Sequence, residues 1–212
     1  MTVLGLRERK KQQTRKLIYE TAARLFAERG FDSVTVAEIA HEAEVSEVTV
    51  FNYFPTKDDL FFGGMEFFED KLVEAVRSRA PGTSVLEAFR EPVIDGLPRL
   101  ETDEAAQLIV KSAAMINASP SLQVRERELV ARYTEVLARL LADEGGAEPD
   151  DVEAWGVATA LMGSQRALVA YVRARVLAGV RGPALVEQAR SQATRVFARL
   201  NRGLASYTPG RD

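Results

Sequence analysis

The stretch SVTVAEIAHEAEVSEVTVFNYFPTKDDL, residues 33–60, contains three helix start signals in close succession. Thr35 and Glu38 have the spacing of a capping box, in which each side chain bonds the backbone amide of the other residue. Ser46 can cap a second helix in the same way, and Thr56 stands where the cap of a third helix belongs. These signals place two short helices side by side in the sequence.

The two short helices, residues 36–43 and 47–53, are marginal alone and need a third helix to pack against. The apolar residues of segment 17–26 recur at the spacing of an amphipathic helix, and Gly30 follows where a C-terminal glycine belongs. Two short helices that pack on a third have the spacing of a helix-turn-helix, whose second helix enters the major groove of DNA. The alternative is a small, well-capped helical bundle without a ligand.

Basic residues lie at both ends of this unit. Residues 7–16 carry six basic side chains against one acidic one, and Lys57 falls in the first turn of the third helix. A lysine there opposes the helix dipole, so a phosphate partner is a reasonable explanation. Residues 1–57 nevertheless sum to only +1, which predicts few phosphate contacts and modest non-specific affinity.

The segments TVAEIAHEAEVS, VTVFNYF and PTKDDL follow one another within this stretch. They resemble the amino-terminal signature of the TetR family of bacterial transcription regulators, T-x-x-x-I-A-x-x-A-G-V-S followed by a short helix, an aromatic pair, a lysine and a leucine. The resemblance covers residues 13–60. Glu44 stands where glycine is usual, which predicts left-handed strain in the turn. Phe51 stands where tyrosine is common, so a hydroxyl contact to phosphate is lost.

The resemblance implies which side chains face DNA. By position, four residues resemble phosphate contacts: Thr35, Ser46, Tyr53 and Lys57. Four residues of the short second helix occupy positions that face base edges: Glu47, Val48, Thr49 and Asn52. Helix capping is the alternative role of Thr35 and Ser46, and both roles can coexist. Phe51 and Phe54 are interpreted as core residues.

The rest of the chain has apolar residues at spacings of three and four and no persistent strand alternation, which predicts an all-α protein of about nine helices. The resemblance implies a DNA-binding helix-turn-helix domain with a basic arm over residues 1–57. It further implies a larger helical effector-binding and dimerisation domain over residues 58–205. The tail, residues 206–212, is expected to be frayed.

The last two predicted helices, residues 150–178 and 183–205, resemble the dimer-forming pair of the family, and a two-fold dimer suits a palindromic operator. One apolar face of the last helix comprises Leu185, Ala189, Val196, Phe197, Leu200 and Leu204. The alternative is that this face is internal core. The pair Gly63-Gly64 falls inside the helix that joins the two domains, where a hinge, a close helix contact or simple tolerance would explain it.

An effector pocket is expected between the helix after Lys57 and the helices of residues 84–178. Because few charges converge there, we expect a small, largely apolar effector. The candidate lining residues are Phe62, Phe67, Phe89, Met115, Asn117, Trp155, Met162, Gln165 and Arg166.

The predicted function is therefore a ligand-responsive transcriptional regulator, expected to repress from a palindromic operator as a homodimer. The chain lacks cysteine, has the single histidine His41, and contains neither common phosphate-binding glycine motif, so we expect no enzyme activity, metal or cofactor. No apolar run reaches about 18 residues, so a cytoplasmic protein without membrane contact is expected. A helical protein-interaction module that lost DNA binding is the alternative from another class.

Overall fold

The computed structural model describes residues 6–204, and of residues 6–8 and 204 it describes the backbone only. The tail predicted to be frayed, residues 206–212, lies outside the described residues. No helix within the described range is long and apolar enough to cross a membrane.

Nine α-helices and one short 3-10 helix make up residues 6–204, which contain no strand. The all-α prediction is thereby confirmed. The helices are α1 (Leu6–Arg29), α2 (Val36–Glu42), α3 (Glu47–Tyr53), α4 (Lys57–Arg77), α5 (Val85–Gly96), the 3-10 helix (Leu97–Glu101), α6 (Asp103–Ala118), α7 (Pro120–Gly145), α8 (Val152–Leu177) and α9 (Gly182–Leu204).

The chain divides into two compact units. The first runs to Phe67, and so ends within α4, and it also contains Met115–Arg125 at the turn between α6 and α7. The second comprises Phe68–Ala114 and the chain from Glu126 onward. The predicted domain division after Lys57 stays a prediction, since these units are defined by compactness alone.

In the first unit, α2 and α3 begin at the predicted caps. Thr35 Oγ1 accepts a hydrogen bond from the Glu38 amide at 3.2 Å, while Glu38 Oε2 accepts one from the Thr35 amide at 2.8 Å. Ser46 Oγ accepts a hydrogen bond from the Thr49 amide at 3.1 Å. Helix α2 contacts both α1 and α3, and Ile39 is fully buried. Local capping and a shared core thus fix the predicted helix-turn-helix.

The α6–α7 turn joins the first unit through the start of α4. Ser121 Oγ donates a hydrogen bond to Asp58 Oδ1 at 3.1 Å. Arg125 forms an ion pair with Asp59 at 2.5 Å, and Asp59 also accepts the Thr56 amide hydrogen bond at the helix start. These contacts connect the cap of α4 to a segment some sixty residues later in the sequence.

Helices α1 and α4 approach each other closely at the glycine pair. A Cβ atom on Gly64 would lie 2.1 Å from Tyr19 Oη, and one on Gly63 would lie 2.6 Å from Tyr19 Cδ2. The Tyr19 ring also packs edge-on against Phe67, with 5.7 Å between ring centroids. Of the explanations that the sequence left open for Gly63-Gly64, the close helix contact is the one that these distances favour.

The core of the second unit involves α5, the 3-10 helix, α8 and α9. Phe89 of α5 packs against Phe197 of α9 with 6.4 Å between ring centroids, and Leu185 and Ala189 of α9 are fully buried. The apolar face of α9 is thus largely core of its own chain. A charge at Phe197 would therefore test folding and not dimerisation.

Candidate nucleic-acid interface

Helix α3 divides its side chains between the core and solvent. Val50 and Phe54, one helical turn apart, are fully buried. On the other side, Val48 is 69% exposed and Phe51 is 45% exposed. The core interpretation is thus confirmed for Phe54 and wrong for Phe51, because residue 51 is rotated about 100° from Val50 around the helix. The residue type of Phe51 did not indicate that it is exposed. Its position on the helix relative to the buried Val50 and Phe54 could have indicated it.

The other residues predicted to face bases lie on or beside the same exposed surface. Glu47 and Asn52 are exposed, and Thr49 is half-buried. Thr49 Oγ1 lies 2.8 Å from Ser46 Oγ, so the two hydroxyls form a hydrogen-bonded pair at the start of α3. Asn52 therefore presents an amide to solvent, whereas the Thr49 hydroxyl is already engaged within the protein.

The residues predicted to bind phosphate lie at the ends of α2, α3 and α4. Thr35 and Ser46 are exposed and both act as caps, which confirms that role. Tyr53 is half-buried at the end of α3. Lys57 Nζ lies 4.4 Å from the centroid of the Phe31 ring and 3.5 Å from the carbonyl oxygen of residue 32. This cation–π contact holds the ammonium in place without neutralising its charge.

Two acidic residues of the motif form ion pairs with α1. Arg24 bonds Glu42 at 2.8 Å, and Arg29 bonds Glu38 at 2.8 Å. The hydrogen bond from the Thr35 amide is the largest of the contacts that lower the pKa of Glu38, so this carboxylate stays charged. Part of the acidity that counts against DNA binding is therefore balanced within the first unit.

The turn between α2 and α3 has the predicted left-handed residue. Glu44 adopts φ 54°, the region that favours glycine. Its amide bonds the His41 carbonyl at 3.1 Å, and the Val45 amide bonds the Ala40 carbonyl at 2.9 Å. This pair of bonds is a Schellman motif, which closes α2 and turns the chain toward α3. His41 in this turn region is exposed.

Two family models match the chain. A model described as bacterial regulatory proteins, tetR family, matches residues 18–63. A model described as the MftR C-terminal domain matches residues 83–204, more than half of the chain. The chain belongs to the TetR family. In this TetR-family chain, the first match spans the helix-turn-helix and the second spans α5 to α9.

Curated relatives of this TetR-family chain are transcriptional regulators. TcmR of Streptomyces glaucescens is 27% identical over 155 residues, 69% of this chain and 67% of TcmR. MftR of Mycobacterium tuberculosis is 26% identical over 165 residues, 77% of this chain and 80% of MftR. YuxN of Bacillus subtilis is 35% identical over 81 residues, but these span only 28% of that protein. The chain is accordingly a DNA-binding transcriptional regulator.

Solved structures share the fold of this TetR-family chain. GusR of Salmonella enterica has a TM-score of 0.54 at 21% identity, over 91% of this chain and 96% of GusR. FadR of Bacillus subtilis, solved in complex with stearoyl-CoA, has a TM-score of 0.51 at 19% identity, over 86% of this chain and 97% of FadR. At such identities the likeness shows an amino-terminal helix-turn-helix domain followed by a helical domain.

The residues predicted to line an effector pocket fall in both compact units. In the first unit, Phe62 is buried, Phe67 and Met115 are half-buried, and Asn117 is exposed. In the second unit, Trp155 is half-buried and Arg166 is exposed, and the remaining three are buried: Phe89, Met162 and Gln165. Phe67 already packs against Tyr19, and Trp155 Nε1 donates a hydrogen bond to the carbonyl oxygen of residue 149 at 3.1 Å. The pocket itself stays a prediction.

Glu69 of α4, in the second unit, has an environment that the sequence analysis missed. Glu69 is only 4% exposed, and its Oε2 has no hydrogen-bond partner among the described residues. Burial raises the pKa of this carboxyl to about 7, and the charge of Asp70 adds to the shift. Gln165 Oε1 is likewise buried without a partner in the described part of the chain. Glutamate within an apolar helical stripe was the available signal for Glu69.

Proposed function

We propose that this regulator is a repressor that binds a palindromic operator as a homodimer and is released by a small, largely apolar effector. The observation that carries the proposal is the exposed side of α3. Asn52 is exposed there in the last turn of α3, and Lys57 follows α3 as the first residue of α4, with its ammonium charge available. An amide suits a base edge and an ammonium suits a phosphate.

The effector part of the proposal rests on the likeness in fold and on the candidate lining residues. FadR of Bacillus subtilis was solved with stearoyl-CoA, so a protein with this fold can hold a molecule with a long apolar part. In the present chain the candidate lining is dominated by aromatic residues and methionines, namely Phe62, Phe67, Phe89, Met115, Trp155 and Met162. Such a lining favours an apolar ligand.

The homodimer would form through α8 and α9. Helix α8 presents small exposed residues at helical spacing, and side chains added at its glycines 156 and 163 would meet nothing within 4 Å. The exposed small residues are Gly156, Gly163, Ala167, Ala170 and Ala174. A stripe of small residues lets a second helix approach closely, and Val169 beside it is 44% exposed.

Gly163→Arg is expected to dissociate this dimer. The position is exposed and open, and arginine favours a helix more than glycine does, so the single chain should fold normally. A long charged side chain would prevent close approach of the partner helix. Sedimentation velocity measures the change, with Ala131→Arg on the exposed side of α7 as the matched control. A Gly163→Arg protein that stays dimeric would place the interface elsewhere.

The operator contacts are tested by two variants with different expected signatures. The operator is first selected from a pool of random duplexes with the full-length protein. Asn52→Ala should weaken binding to this operator by about 1–3 kcal/mol and relax base preference at one position of each half-site. Lys57→Ala should weaken binding to all duplexes and reduce the salt slope by about one unit per half-site. Anisotropy titrations at several salt concentrations, on the operator and on a scrambled duplex, measure both effects.

The control for these variants is Lys71→Ala, which removes the same charge from an exposed position in the second unit. Its affinity and salt slope should match those of the unmodified protein. Equal losses for Asn52→Ala and Lys57→Ala on both duplexes would contradict the assignment of base and phosphate contacts. A protein that prefers no duplex at all would favour the interaction-module alternative.

A further inference from the structure

Helix α3 exposes two large apolar side chains one turn apart. Val48 is 69% exposed and Phe51 is 45% exposed, and they stand at positions i and i+3 of the same helix. The other large exposed apolar side chains of the described residues stand farther apart along their helices: Leu17, Leu108, Val124, Val136, Val152, Val169 and Leu177. The pair Val48 and Phe51, called here the α3 apolar pair, is therefore a local concentration of apolar surface.

The core does not require this pair to be apolar. Val50 and Phe54 are fully buried and supply the contacts of α3 with the rest of the first unit. Phe51 has no hydroxyl, so its side chain can neither donate a hydrogen bond to a phosphate nor accept one from a base. What it offers to a partner is apolar contact area.

The major groove carries one apolar group on its base edges, the 5-methyl group of thymine. We propose that the α3 apolar pair contacts thymine 5-methyl groups in the operator, and that Phe51 is a specificity-determining residue. The proposal rests on the proposed binding of an operator by α3. It assigns to Phe51 a role in base preference that a phosphate-contacting tyrosine would not have.

The neighbouring polar residue is consistent with this assignment. Asn52 is exposed next to Phe51, and an asparagine amide pairs in bidentate fashion with the N6 and N7 atoms of adenine. An amide on adenine and apolar side chains on thymine methyls both select A·T pairs. The half-site contacted by α3 is therefore expected to contain A·T pairs at neighbouring positions.

Replacing thymine by deoxyuridine tests the proposal directly, because uracil keeps the base pairing and lacks only the methyl group. The operator is first selected from a pool of random duplexes with the full-length protein. Each thymine of one half-site is then replaced singly, and affinity is measured by anisotropy at fixed salt. At one or two positions the unmodified protein should bind the uracil duplex about three- to fivefold more weakly, the value for one buried methyl group.

The variant Phe51→Ala should lose this discrimination at the position that Phe51 contacts, so that thymine and uracil duplexes bind equally there. Val48→Ala should do the same at a different position. Leu108→Ala, which truncates a 45% exposed leucine on α6, is the matched control and should keep the full uracil effect. Phe51→Gln provides a second variant of similar length, and the unfolding midpoint of each variant shows that it is folded.

Two results would overturn the proposal while leaving operator binding intact. One is a selected operator on which no thymine-to-uracil change weakens binding by the unmodified protein. The other is a Phe51→Ala protein that binds more weakly but still discriminates thymine from uracil at every position, which would make Phe51 a backbone contact. Failure to select any operator would overturn the proposed function together with this inference.

Discussion

Glu69→Gln is expected to make the protein about 3 kcal/mol more stable at pH 8 and less than about 1 kcal/mol more stable at pH 5. The pKa of Glu69 is raised from 4.5 to about 7 by burial. The folded chain therefore holds this proton more tightly than the unfolded chain does. The stability that the protonated carboxyl contributes is fully present below about pH 4.5 and is lost as pH rises to 7.

Above pH 7 the folded protein has to keep a charged carboxylate that is 4% exposed and whose Oε2 lacks a hydrogen-bond partner among the described residues. Glutamine has nearly the same shape and cannot ionise, so the variant avoids this cost. The figure of about 3 kcal/mol follows from the pKa shift at about 1.4 kcal/mol per unit.

Urea unfolding of both proteins at pH 5 and pH 8 measures the effect, because groups other than residue 69 titrate equally in the two. Glu74→Gln is the control, since Glu74 lies on the same helix with an exposed carboxyl. A stability difference between Glu69→Gln and the unmodified protein that is the same at both pH values would contradict the raised pKa.

The sequence predicted those features that depend on near neighbours along the chain. The starts of α2 and α3 follow from side chains three residues apart, such as Thr35 with Glu38, and the structure places them where the caps indicate. The left-handed Glu44 follows from its place in a family turn that normally holds glycine. Such short-range patterns form from residues close together in the sequence, so they depend little on the tertiary fold.

The features that the sequence did not predict depend on distant partners or on which side of a helix is covered. Phe197 is buried because Phe89, more than a hundred residues earlier, packs against it. Phe51 is exposed because Val50 and Phe54 already face the core. Apolar residues on α9 look the same whether they cover their own chain or a partner, so spacing alone leaves both possibilities open.

The glycine pair of α4 gives the second large effect. Gly63→Ala with Gly64→Ala is expected to destabilise the protein by about 2 kcal/mol or more, because overpacking at close contacts costs more than the gain in helix propensity. The new methyl group on Gly64 would lie 2.1 Å from Tyr19 Oη and 2.8 Å from Tyr19 Cζ. Because the two new methyl groups clash with Tyr19, the double variant would disturb the packing of α1 on α4. It therefore cannot test whether Gly63-Gly64 acts as a hinge.

The single variant Gly64→Ala isolates the contact, because the atoms nearest to its new methyl group all belong to Tyr19. With Tyr19 retained, Gly64→Ala should lower the free energy of unfolding. With Tyr19→Phe, which removes Oη but keeps Cζ, the loss should shrink. With Tyr19→Ala it should become a gain of up to about 1 kcal/mol, the helix propensity difference between alanine and glycine. Urea unfolding of the six proteins gives the double-mutant cycles.

Gly96→Ala is the control for helix propensity, since a methyl group there would lie in ordinary van der Waals contact, 3.6 Å from Phe68 Cε2, and it should stabilise the protein in every background. An unchanged cost of Gly64→Ala in the Tyr19→Ala background would show that Tyr19 is not the cause. The contact also bears on the proposed release of DNA by an effector. Arg15 bonds Glu66 at 3.0 Å on one side of the contact at Tyr19, and Phe26 packs against Phe61 on the other side with 6.0 Å between ring centroids, so α1 holds α4 on both sides. The first half of α4 should therefore move with α1 as one body, and bending at Gly63-Gly64 would have to break these contacts.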